Sequence, residues 1–283
     1  MPALIDGRYR VEALLGQGGM GTVHRAHDES TGRALALKRL TAKAARDERH
    51  ALMFHREFDT LARLAHPNIV RVFDFGWSDD VPYYTMELLE GGLGDVEPPL
   101  PVDQVCTWMR DIASALALIH SRNLIHRDVT ARNVAVTERG AKLIDFGALA
   151  TPGLAGEILG TAPYMAPETL AGQPLDHRID LYALGALAYW LLSGRHAFAA
   201  RKPGELEQLW KKPPRSLRRH GVQWPLEELV MQLLSLQPLA RPRSAAEVAR
   251  RLEVIAELAP KSADAVVAGY LSSAPLVERD STL

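Results

Sequence analysis

Two short segments in the middle of the chain carry side chains that could bind a metal ion and accept a proton. The first is His126-Arg127-Asp128-Val129-Thr130-Ala131-Arg132-Asn133, and the second is Asp145-Phe146-Gly147, which follows a predicted strand over 142–144. Asp128 could take the proton of a hydroxyl group, and Asn133 and Asp145 could supply the hard oxygen ligands that Mg²⁺ prefers. An oriented hydroxyl, metal ions and neutralised charge are what phosphoryl transfer requires. Either segment alone could be an ordinary turn.

Glycines are concentrated between two predicted strands near the N-terminus. The segment Gly16-Gln17-Gly18-Gly19-Met20-Gly21-Thr22-Val23 has the pattern GxGxxG. Because glycine has no Cβ, backbone N–H groups there could approach a triphosphate closely. The segment lies in a hairpin and not between a strand and a helix, which argues against a dinucleotide-binding loop. By itself the pattern would indicate only a flexible hairpin turn.

Lys38 and Glu57 give the glycine-rich segment a chemical context. Lys38 lies on a predicted strand over 34–40, where three apolar residues indicate that the strand is covered on both faces: Leu35, Leu37 and Leu40. A charge in such a strand needs a partner. Glu57, on a predicted helix, could pair with Lys38 and hold its ammonium group against the α- and β-phosphates of a nucleotide.

The elements that would position these residues fall into two parts. Strands are predicted over 9–25, interrupted by the glycine-rich turn, and over 34–40, 69–75 and 83–88. A helix is predicted over 41–65, with Met53, Glu57 and Leu61 on one face. After a linker rich in Gly and Pro, helices are predicted over 103–121, 178–193, 203–212, 225–237 and 244–257. We therefore predict an N-lobe over 1–90, a C-lobe over 91–258 and a tail or linker over 259–283.

Composition limits the kind of partner. The 283 residues are 47% hydrophobic, and 33 Lys and Arg residues balance 34 Asp and Glu residues. No basic field favours nucleic acid or a membrane surface, so a protein or small-molecule partner is expected. The single cysteine, Cys106, excludes an internal disulfide framework, and no Cys/His spacing favours a zinc site. Without a signal peptide or an apolar run long enough to cross a bilayer, we expect a cytoplasmic protein of unspecified oligomeric state.

The ordered set Lys38, Glu57, Asp128, Asn133 and Asp145 resembles the signature of eukaryotic-type protein kinases, and most of all the bacterial Ser/Thr protein kinases. The resemblance covers residues 9–256 and includes the segment 160–168. It implies an α+β, bilobal fold, with a small antiparallel-sheet N-lobe that carries one regulatory helix and a larger, mainly helical C-lobe. It also implies ATP and Mg²⁺ as cofactors, with Mn²⁺ as an alternative, and proteins as substrates.

The resemblance assigns a role to each matching position. Gly16, Gly18, Gly19 and Gly21 would cover the phosphates. Met86 would be the gatekeeper, Glu87 to Leu89 the hinge whose backbone binds adenine, and Val23, Ala36 and Ala135 the walls around the ring. A hydrophobic spine would consist of Leu61, Val72, His126 and Phe146, anchored by Asp180. Glu168 and Arg241 would form an ion pair that fixes the substrate-side loop.

Two positions of the segment 126–133, called the catalytic segment below, depart from the Ser/Thr pattern. Thr130 replaces the usual lysine, and Arg132 occupies the place of an arginine that is typical of tyrosine kinases. We expect the two residues to share the contact with the γ-phosphate. The segment 160–168 resembles the Ser/Thr class, where Thr161 can hydrogen-bond the catalytic Asp, and therefore favours Ser/Thr acceptors. A tyrosine or dual-specificity kinase and a nucleotide-binding pseudokinase scaffold stay as alternatives, while small-molecule phosphotransfer is disfavoured by the same segment.

The resemblance also implies how the kinase would be activated. Kinases with an arginine before the catalytic Asp commonly need a phosphate on the activation loop to neutralise it, and Arg127 occupies that position. The usual phosphothreonine position holds Glu157, whose carboxylate could pair with Arg127 instead. An ordinary solvated glutamate is the alternative, and Thr151 is a candidate secondary phosphorylation site.

Overall fold

The first part of the computed structural model is an antiparallel sheet. The structure describes residues 4–154 and 160–258. Within them, six strands follow the order β1-β2-β3-β4-β6-β5. The strands are β1 Leu4–Ile5, β2 Tyr9–Gln17, β3 Gly21–Asp28, β4 Arg33–Leu40, β5 Val72–Ser78 and β6 Val81–Met86. This order places β4, the strand of Lys38, in the interior of the sheet.

The central strands β4 and β6 form the buried middle of this sheet. The predicted covering of β4 on both faces is confirmed, because Leu35, Leu37 and Leu40 are all buried. In the register of the pair, Lys38 lies opposite Tyr84 and Ala36 lies opposite Met86. Opposed residues of antiparallel strands project to the same face, as do residues two apart on one strand. These four side chains therefore share one face of the sheet.

The single helix predicted over 41–65 is wrong, because the chain forms two helices there. They are α1 Ala42–Ala45 and α2 Glu48–Arg63. Asp47 interrupts them in an extended conformation, and its carboxylate accepts a hydrogen bond of 2.9 Å from the N–H of Arg49. Such a side chain satisfies the first free N–H groups of a helix, so α2 begins at this cap.

The face predicted for α2 is partly wrong. Glu57 and Leu61 are buried as expected, but Met53 is 48% exposed and Phe54 takes the buried position. Residues 54, 57 and 61 follow the spacing i, i+3, i+7, which forms a stripe displaced by about one residue from the predicted stripe. The helix thus presents Glu57 towards the sheet, between Phe54 and Leu61.

The strands β5 and β6 are displaced by two or three residues from their predicted bounds. The segment before β5 does not join the large sheet, because its backbone pairs elsewhere. Val70 N–H donates to the carbonyl of Leu143 at 2.9 Å, and Leu143 N–H donates to the carbonyl of Asn68 at 2.9 Å. This pairing connects the first part of the fold to the strand that leads to Asp145.

The second part of the fold is mainly helical. Its helices are α3 Val102–Ser121, α4 Pro167–Leu170, α5 Arg178–Ser193, α6 Leu206–Leu209, α7 Trp224–Leu233 and α8 Ala245–Ile255. Its strands form two short antiparallel pairs, β7 Val134–Thr137 with β8 Gly140–Leu143 and β9 Gly153–Leu154 with β10 Pro174–Leu175. The predicted α+β architecture, with a small sheet part and a larger helical part, is confirmed.

Two of the predicted helices are shorter than expected. The helix over 203–212 is a 3₁₀ turn, Pro203–Glu205, followed by the single turn of α6, and the helix over 225–237 ends at Leu233. Pro213 and Pro214 after the first, and Pro238 shortly after the second, are poor residues for continuing a helix. The predicted domain boundary near residue 90 lies between β6 and α3 and stays a prediction.

Helix α5 is the centre of the helical part. It is buried almost around its whole circumference, with Leu181, Leu184, Leu187 and Leu191 at 0% exposure. A Cβ on Gly185 would lie 2.6 Å from Cβ of Leu233, so glycine permits the close approach of α7. No helix in residues 4–154 and 160–258 is both long and apolar enough to cross a membrane.

A buried ion pair connects the segment 160–168 to the loop before α8. Arg241 donates to Glu168 through both terminal nitrogens, at 2.5 and 2.9 Å. Its Nη1 also reaches the carbonyl of Arg178, and its Nε reaches the carbonyl of Ser235, each at 2.9 Å. The guanidinium group is therefore satisfied on every side, as a buried charge requires.

Removing either partner of this pair should destabilise the protein strongly. We expect Arg241→Met to lower the free energy of unfolding by about 3 kcal/mol or more, because the Glu168 carboxylate would stay buried without a partner. Urea unfolding measures the change. Arg10→Met, which breaks the half-exposed pair of Arg10 with Glu29, is the matched control and should change stability little. Equal effects of the two substitutions would contradict a structural role for the buried pair.

Candidate active site

The glycine-rich turn joins β2 to β3. The space between the sheet face that carries Lys38 and the turn of Asp145 is called the cleft below. Gly16 lies opposite Val23 in the hairpin register, and Gly18 N–H donates to the carbonyl of Gly21 at 2.9 Å. No atom lies within 4 Å of an added Cβ on Gly16 or Gly19. Packing therefore does not require glycine at these two positions, and their role at the phosphates of a nucleotide stays a prediction.

Gly21 differs from the other glycines of the turn. A Cβ there would lie 2.6 Å from the carbonyl oxygen of Arg39 on β4. The close contact between strands β3 and β4 therefore requires glycine at this position, independently of any ligand.

Lys38, Glu57 and Asp145 meet between the sheet and the helical part. Lys38 Nζ lies 2.8 Å from Glu57 Oε1 and 3.1 Å from Asp145 Oδ1. The side chains of Lys38 and Glu57 are 19% and 6% exposed, whereas that of Asp145 is 47% exposed. The ammonium group is thus anchored by a buried carboxylate on one side and faces the cleft through Asp145 on the other.

Electrostatics favour the charged forms of Lys38 and Asp145. Burial alone would lower the pKa of Lys38, but contacts with Tyr84, Glu57 and Asp145 raise it well above its usual value. Burial opposes ionisation of Asp145, yet the charge and hydrogen bond of Lys38 and the N–H of Gly147 hold its pKa below the usual value. Both groups are therefore ionised at neutral pH.

The predicted nucleotide-base residues lie on the elements around the cleft. Ala36 and Met86 are buried neighbours on β4 and β6, and Val23 lies opposite Lys38 on β3. Ala135 is buried on β7, where it bridges to Gly92. Leu89 is half-buried in the segment that follows β6.

Glu87 has a structural contact that sequence reasoning missed. Its Oε1 accepts hydrogen bonds from Lys142 Nζ at 2.5 Å and from Arg71 N–H at 2.8 Å. One carboxylate thus joins the segment after β6, the residue before β5 and strand β8. These contacts lie far apart in sequence, and no local pattern indicates them.

The catalytic segment is held in a defined arrangement. Asn133 donates through Nδ2 to the carbonyl of Asp128 at 2.9 Å and to Asp128 Oδ2 at 2.7 Å. Thr161 Oγ1 lies 3.4 Å from the other carboxylate oxygen, Oδ1. The segment 160–168 therefore reaches Asp128 as expected. A pocket beside Asp128 is lined by Thr161, Tyr164 and Met165 of that segment.

Asp180 on α5 anchors the catalytic segment. Its buried carboxylate accepts hydrogen bonds of 2.8 Å from the N–H groups of His126 and Arg127, and it lies 2.8 Å from Nε2 of His120. Arg127 adopts a positive φ of 69°, a conformation that non-glycine residues seldom adopt. The two hydrogen bonds to Asp180 hold the backbone in it.

The predicted spine residues belong to one hydrophobic core. Leu61 and Phe146 are buried in it, and Val72 packs against it. The rings of His126 and Phe146 meet edge to face with centroids 5.0 Å apart. This contact connects the catalytic segment to the Asp145-Phe146-Gly147 turn.

Asn133 and Asp145 form a donor set that fits a hard divalent cation. Ile144 N–H donates to the carbonyl of Asn133 at 3.1 Å, which keeps the two residues in neighbouring segments. Within the described residues, hydrogen bonds occupy Asp145 Oδ1 and leave Oδ2, while Asn133 donates through Nδ2 and keeps Oδ1 as an acceptor. Carboxylate and amide oxygens are the ligands that Mg²⁺ prefers.

Thr130 and Arg132 have different exposures. Thr130 is 3% exposed, whereas Arg132 is exposed and lies against Gly94 in the loop before α3.

Glu157, the predicted partner of Arg127, lies outside the described residues, and the hypothesis that its carboxylate pairs with Arg127 stays a prediction.

Tyr84 is the functional candidate that sequence reasoning missed. Its hydroxyl group donates to Glu57 Oε1 at 3.0 Å, and the residue is fully buried. A signal was present, because Tyr84 is two residues before Met86 and therefore faces the same side of β6.

The chain matches a known protein family over most of its length. A family model described as the protein kinase domain matches residues 9–251. This chain belongs to the protein kinase domain family. The bilobal fold and the resemblance inferred from the signature residues are confirmed.

Named relatives of this kinase domain come from bacteria. It is 35% identical over 272 residues to serine/threonine-protein kinase pkn3 of Myxococcus xanthus, covering 88% of this chain and 50% of the relative. It is 38% identical over 269 residues to pkn2 of the same organism, covering 88% and 32%. It is 34% identical over 265 residues to PknB of Mycobacterium leprae, covering 87% and 43%. The chain thus spans half or less of the length of these relatives.

The buried imidazole in the spine predicts a pH dependence of the kinase domain's stability. Burial lowers the pKa of His126 from 6.5, so the folded state favours the neutral ring. The stability that this neutral ring contributes is complete above pH 6.5. As the pH falls from 6.5 towards the lower folded-state pKa, the free energy of unfolding decreases by about 1.4 kcal/mol per pH unit. We expect His126→Phe to weaken the decline in stability between pH 7.5 and 5.5, as measured by urea unfolding.

The comparison with wild type isolates this histidine. Burial also lowers the pKa values of His24 and His196, so the wild-type profile contains their contributions as well. Substituting the exposed His220 by Gln is the control and should leave the profile unchanged. A His126→Phe profile parallel to that of wild type would show that His126 does not resist protonation.

Proposed function

We propose that this kinase domain transfers the γ-phosphoryl group of ATP to serine or threonine hydroxyls of proteins, with Mg²⁺ as cofactor and Mn²⁺ as an alternative. The observation that carries the proposal is the contact of Lys38 with both Glu57 and Asp145, next to a catalytic segment in which Asn133 holds Asp128. The printed names of the relatives, serine/threonine-protein kinases, support the acceptor class.

Nucleotide binding is assigned to the cleft between the sheet and the helical part. The open backbone at Gly16, Gly18 and Gly19 covers the phosphates, and Lys38 orients the α- and β-phosphates while Glu57 holds its ammonium group. The backbone of the segment from Glu87 to Leu89 binds the adenine edge. The ring packs among apolar residues: Val23, Ala36, Met86 and Ala135.

Catalysis follows from the position of Asp128. Its carboxylate orients the acceptor hydroxyl and takes its proton as the hydroxyl oxygen bonds to the γ-phosphorus, while the bond from that phosphorus to the bridging oxygen breaks and ADP leaves. Asn133 keeps Asp128 oriented through the 2.7 Å hydrogen bond. Asn133 and Asp145 would hold Mg²⁺, which neutralises the phosphate charge when bound.

Thr161 supports a hydroxyl acceptor of the Ser/Thr type. It contacts Asp128 at 3.4 Å from the segment 160–168, so this segment forms one wall of the acceptor entrance. Arg132 supports the tyrosine or dual-specificity alternative by residue type alone. The identity of the phosphorylated residue separates the two acceptor classes.

Phosphoamino-acid analysis tests the proposal. Incubation with labelled ATP, Mg²⁺ and a general protein substrate should give phosphoserine or phosphothreonine, and Asp128→Asn and Lys38→Met should each abolish the label. Circular dichroism of both variants checks that the fold is intact. Labelled tyrosine alone would assign the tyrosine class. ATP binding without any transfer in wild type would favour the scaffold alternative.

Arg132 is proposed to supply the positive charge at the γ-phosphate that lysine usually provides, with Thr130 as a minor contributor because of its low exposure. A contact made mainly in the transition state affects kcat and not ground-state affinity. We expect Arg132→Ala to lower kcat by about tenfold or more and to leave the Kd for ATP within about twofold.

Arg139 provides a matched control for this variant. It is an exposed arginine in the turn between β7 and β8, and Arg139→Ala should leave both constants unchanged. Stopped-flow or steady-state assays combined with ATP titration measure the two constants. A weaker Kd with unchanged kcat would make Arg132 a residue for binding and not for catalysis.

A further inference from the structure

Tyr84 reaches the active site from the middle of the sheet. It lies on β6 directly opposite Lys38 and is 0% exposed. Its hydroxyl group donates to Glu57 Oε1 at 3.0 Å, the same oxygen that accepts from Lys38 Nζ at 2.8 Å. The N–H of Phe146 points to this oxygen from 3.4 Å. Tyr84 and Lys38 are therefore its two closest donors.

The ring of Tyr84 also packs against the helix that carries Glu57. Ring centroids lie 5.0 Å from Phe54 and 5.9 Å from Phe58, three residues before and one residue after Glu57. Lys38 Nζ lies 5.8 Å from the centre of the same ring. One side chain thus contacts the α2 face, the carboxylate on that face and the ammonium group that the carboxylate binds.

The hydroxyl group remains a donor under working conditions. Burial raises the pKa of Tyr84 well above 10, and the negative charges of Glu57 and Asp145 add to this increase, although Lys38 opposes it. A protonated phenol can donate a hydrogen bond to a carboxylate, whereas a phenolate would repel it. Hydrogen bonds to charged groups are among the stronger ones in proteins.

We propose that Tyr84 is a positioning residue that holds the Glu57 carboxylate, and with it helix α2, in the orientation that binds Lys38. The inference rests on the proposed function, because the position of Lys38 matters for phosphoryl transfer. When the hydroxyl is absent, Glu57 Oε1 loses one of its two close donors, and orientations of Glu57 that do not meet Lys38 become more populated. The residue acts through Glu57 and does not contact the reacting atoms.

Tyr84→Phe removes the hydroxyl group and keeps the ring. We expect kcat to fall by about tenfold, the size of one lost hydrogen bond to a charged group, and the KM for ATP to stay within about twofold. Thermal unfolding should change only slightly, because the ring contacts with Phe54 and Phe58 are retained.

Tyr83 is a matched control on the same strand. It is 2% exposed, and its hydroxyl donates to Asp6 Oδ2 at 2.7 Å on the opposite face of the sheet. Tyr83→Phe therefore removes the hydroxyl–carboxylate contact of a buried tyrosine with an exposed aspartate, outside the site, and should leave kcat unchanged. A Tyr84→Phe variant with wild-type kcat would refute the proposal, as would an equal loss of kcat in Tyr83→Phe.

Coupling to Glu57 distinguishes positioning from general stabilisation. In a Glu57→Gln background, the further loss of kcat caused by Tyr84→Phe should be much smaller than in wild type, since the two residues act through one contact. Additive losses would show that Tyr84 acts independently of Glu57.

Hydrogen exchange tests the inference without any activity. Backbone amides of α2 should exchange faster in Tyr84→Phe than in wild type or Tyr83→Phe, while those of α3 should not change. If wild type transferred no phosphate, the proposed function would fail, but faster exchange in α2 would still support the positioning role. Unchanged exchange in α2 would overturn that role.

Discussion

The Oε1 atom of Glu57 is the point on which the arrangement of the active site depends. It accepts hydrogen bonds from Lys38 on β4, Tyr84 on β6 and, at longer range, the backbone of Phe146. One buried oxygen therefore fixes the helix α2, two central strands and the turn that contains Asp145. A buried carboxylate is tolerated only when such donors surround it, so the sheet and the helix must meet in this register.

A second buried carboxylate organises the other side of the cleft. Asp180 on α5 holds the backbone of His126 and Arg127, and through them it positions Asp128. The contact of His126 with Phe146 connects the two centres through packed rings. Because α5 is the most buried of the described helices, Asp128, the proposed proton acceptor, is tied to the packed centre of the helical part, whereas Lys38 is tied to the sheet. In the proposed reaction, the two parts meet at Asp145, which contacts Lys38.

Sequence patterns predict the features of this kinase domain that depend on local periodicity or on motifs. The apolar residues around Lys38 indicated a buried strand, and the ordered motifs indicated the family. Periodicity alone does not reveal the break before α2, although the side chain of Asp47 is a good helix cap. The link between Glu87 and Lys142 could not be predicted, since it depends on how distant segments pack. Tyr84 could have been found from strand parity.

The cost of buried charge argues for an enzyme rather than a scaffold. Replacing a buried ion pair by apolar residues of similar size is often neutral or stabilising, so stability alone does not explain Lys38 and Glu57 in the middle of a hydrophobic cluster. A scaffold would need only the packed sheet and helices around them. The ammonium group is instead held at the edge of the cleft, with the half-exposed Asp145 beside it. This arrangement directs positive charge and hard oxygen ligands towards the same space, as transfer from a metal-bound triphosphate requires.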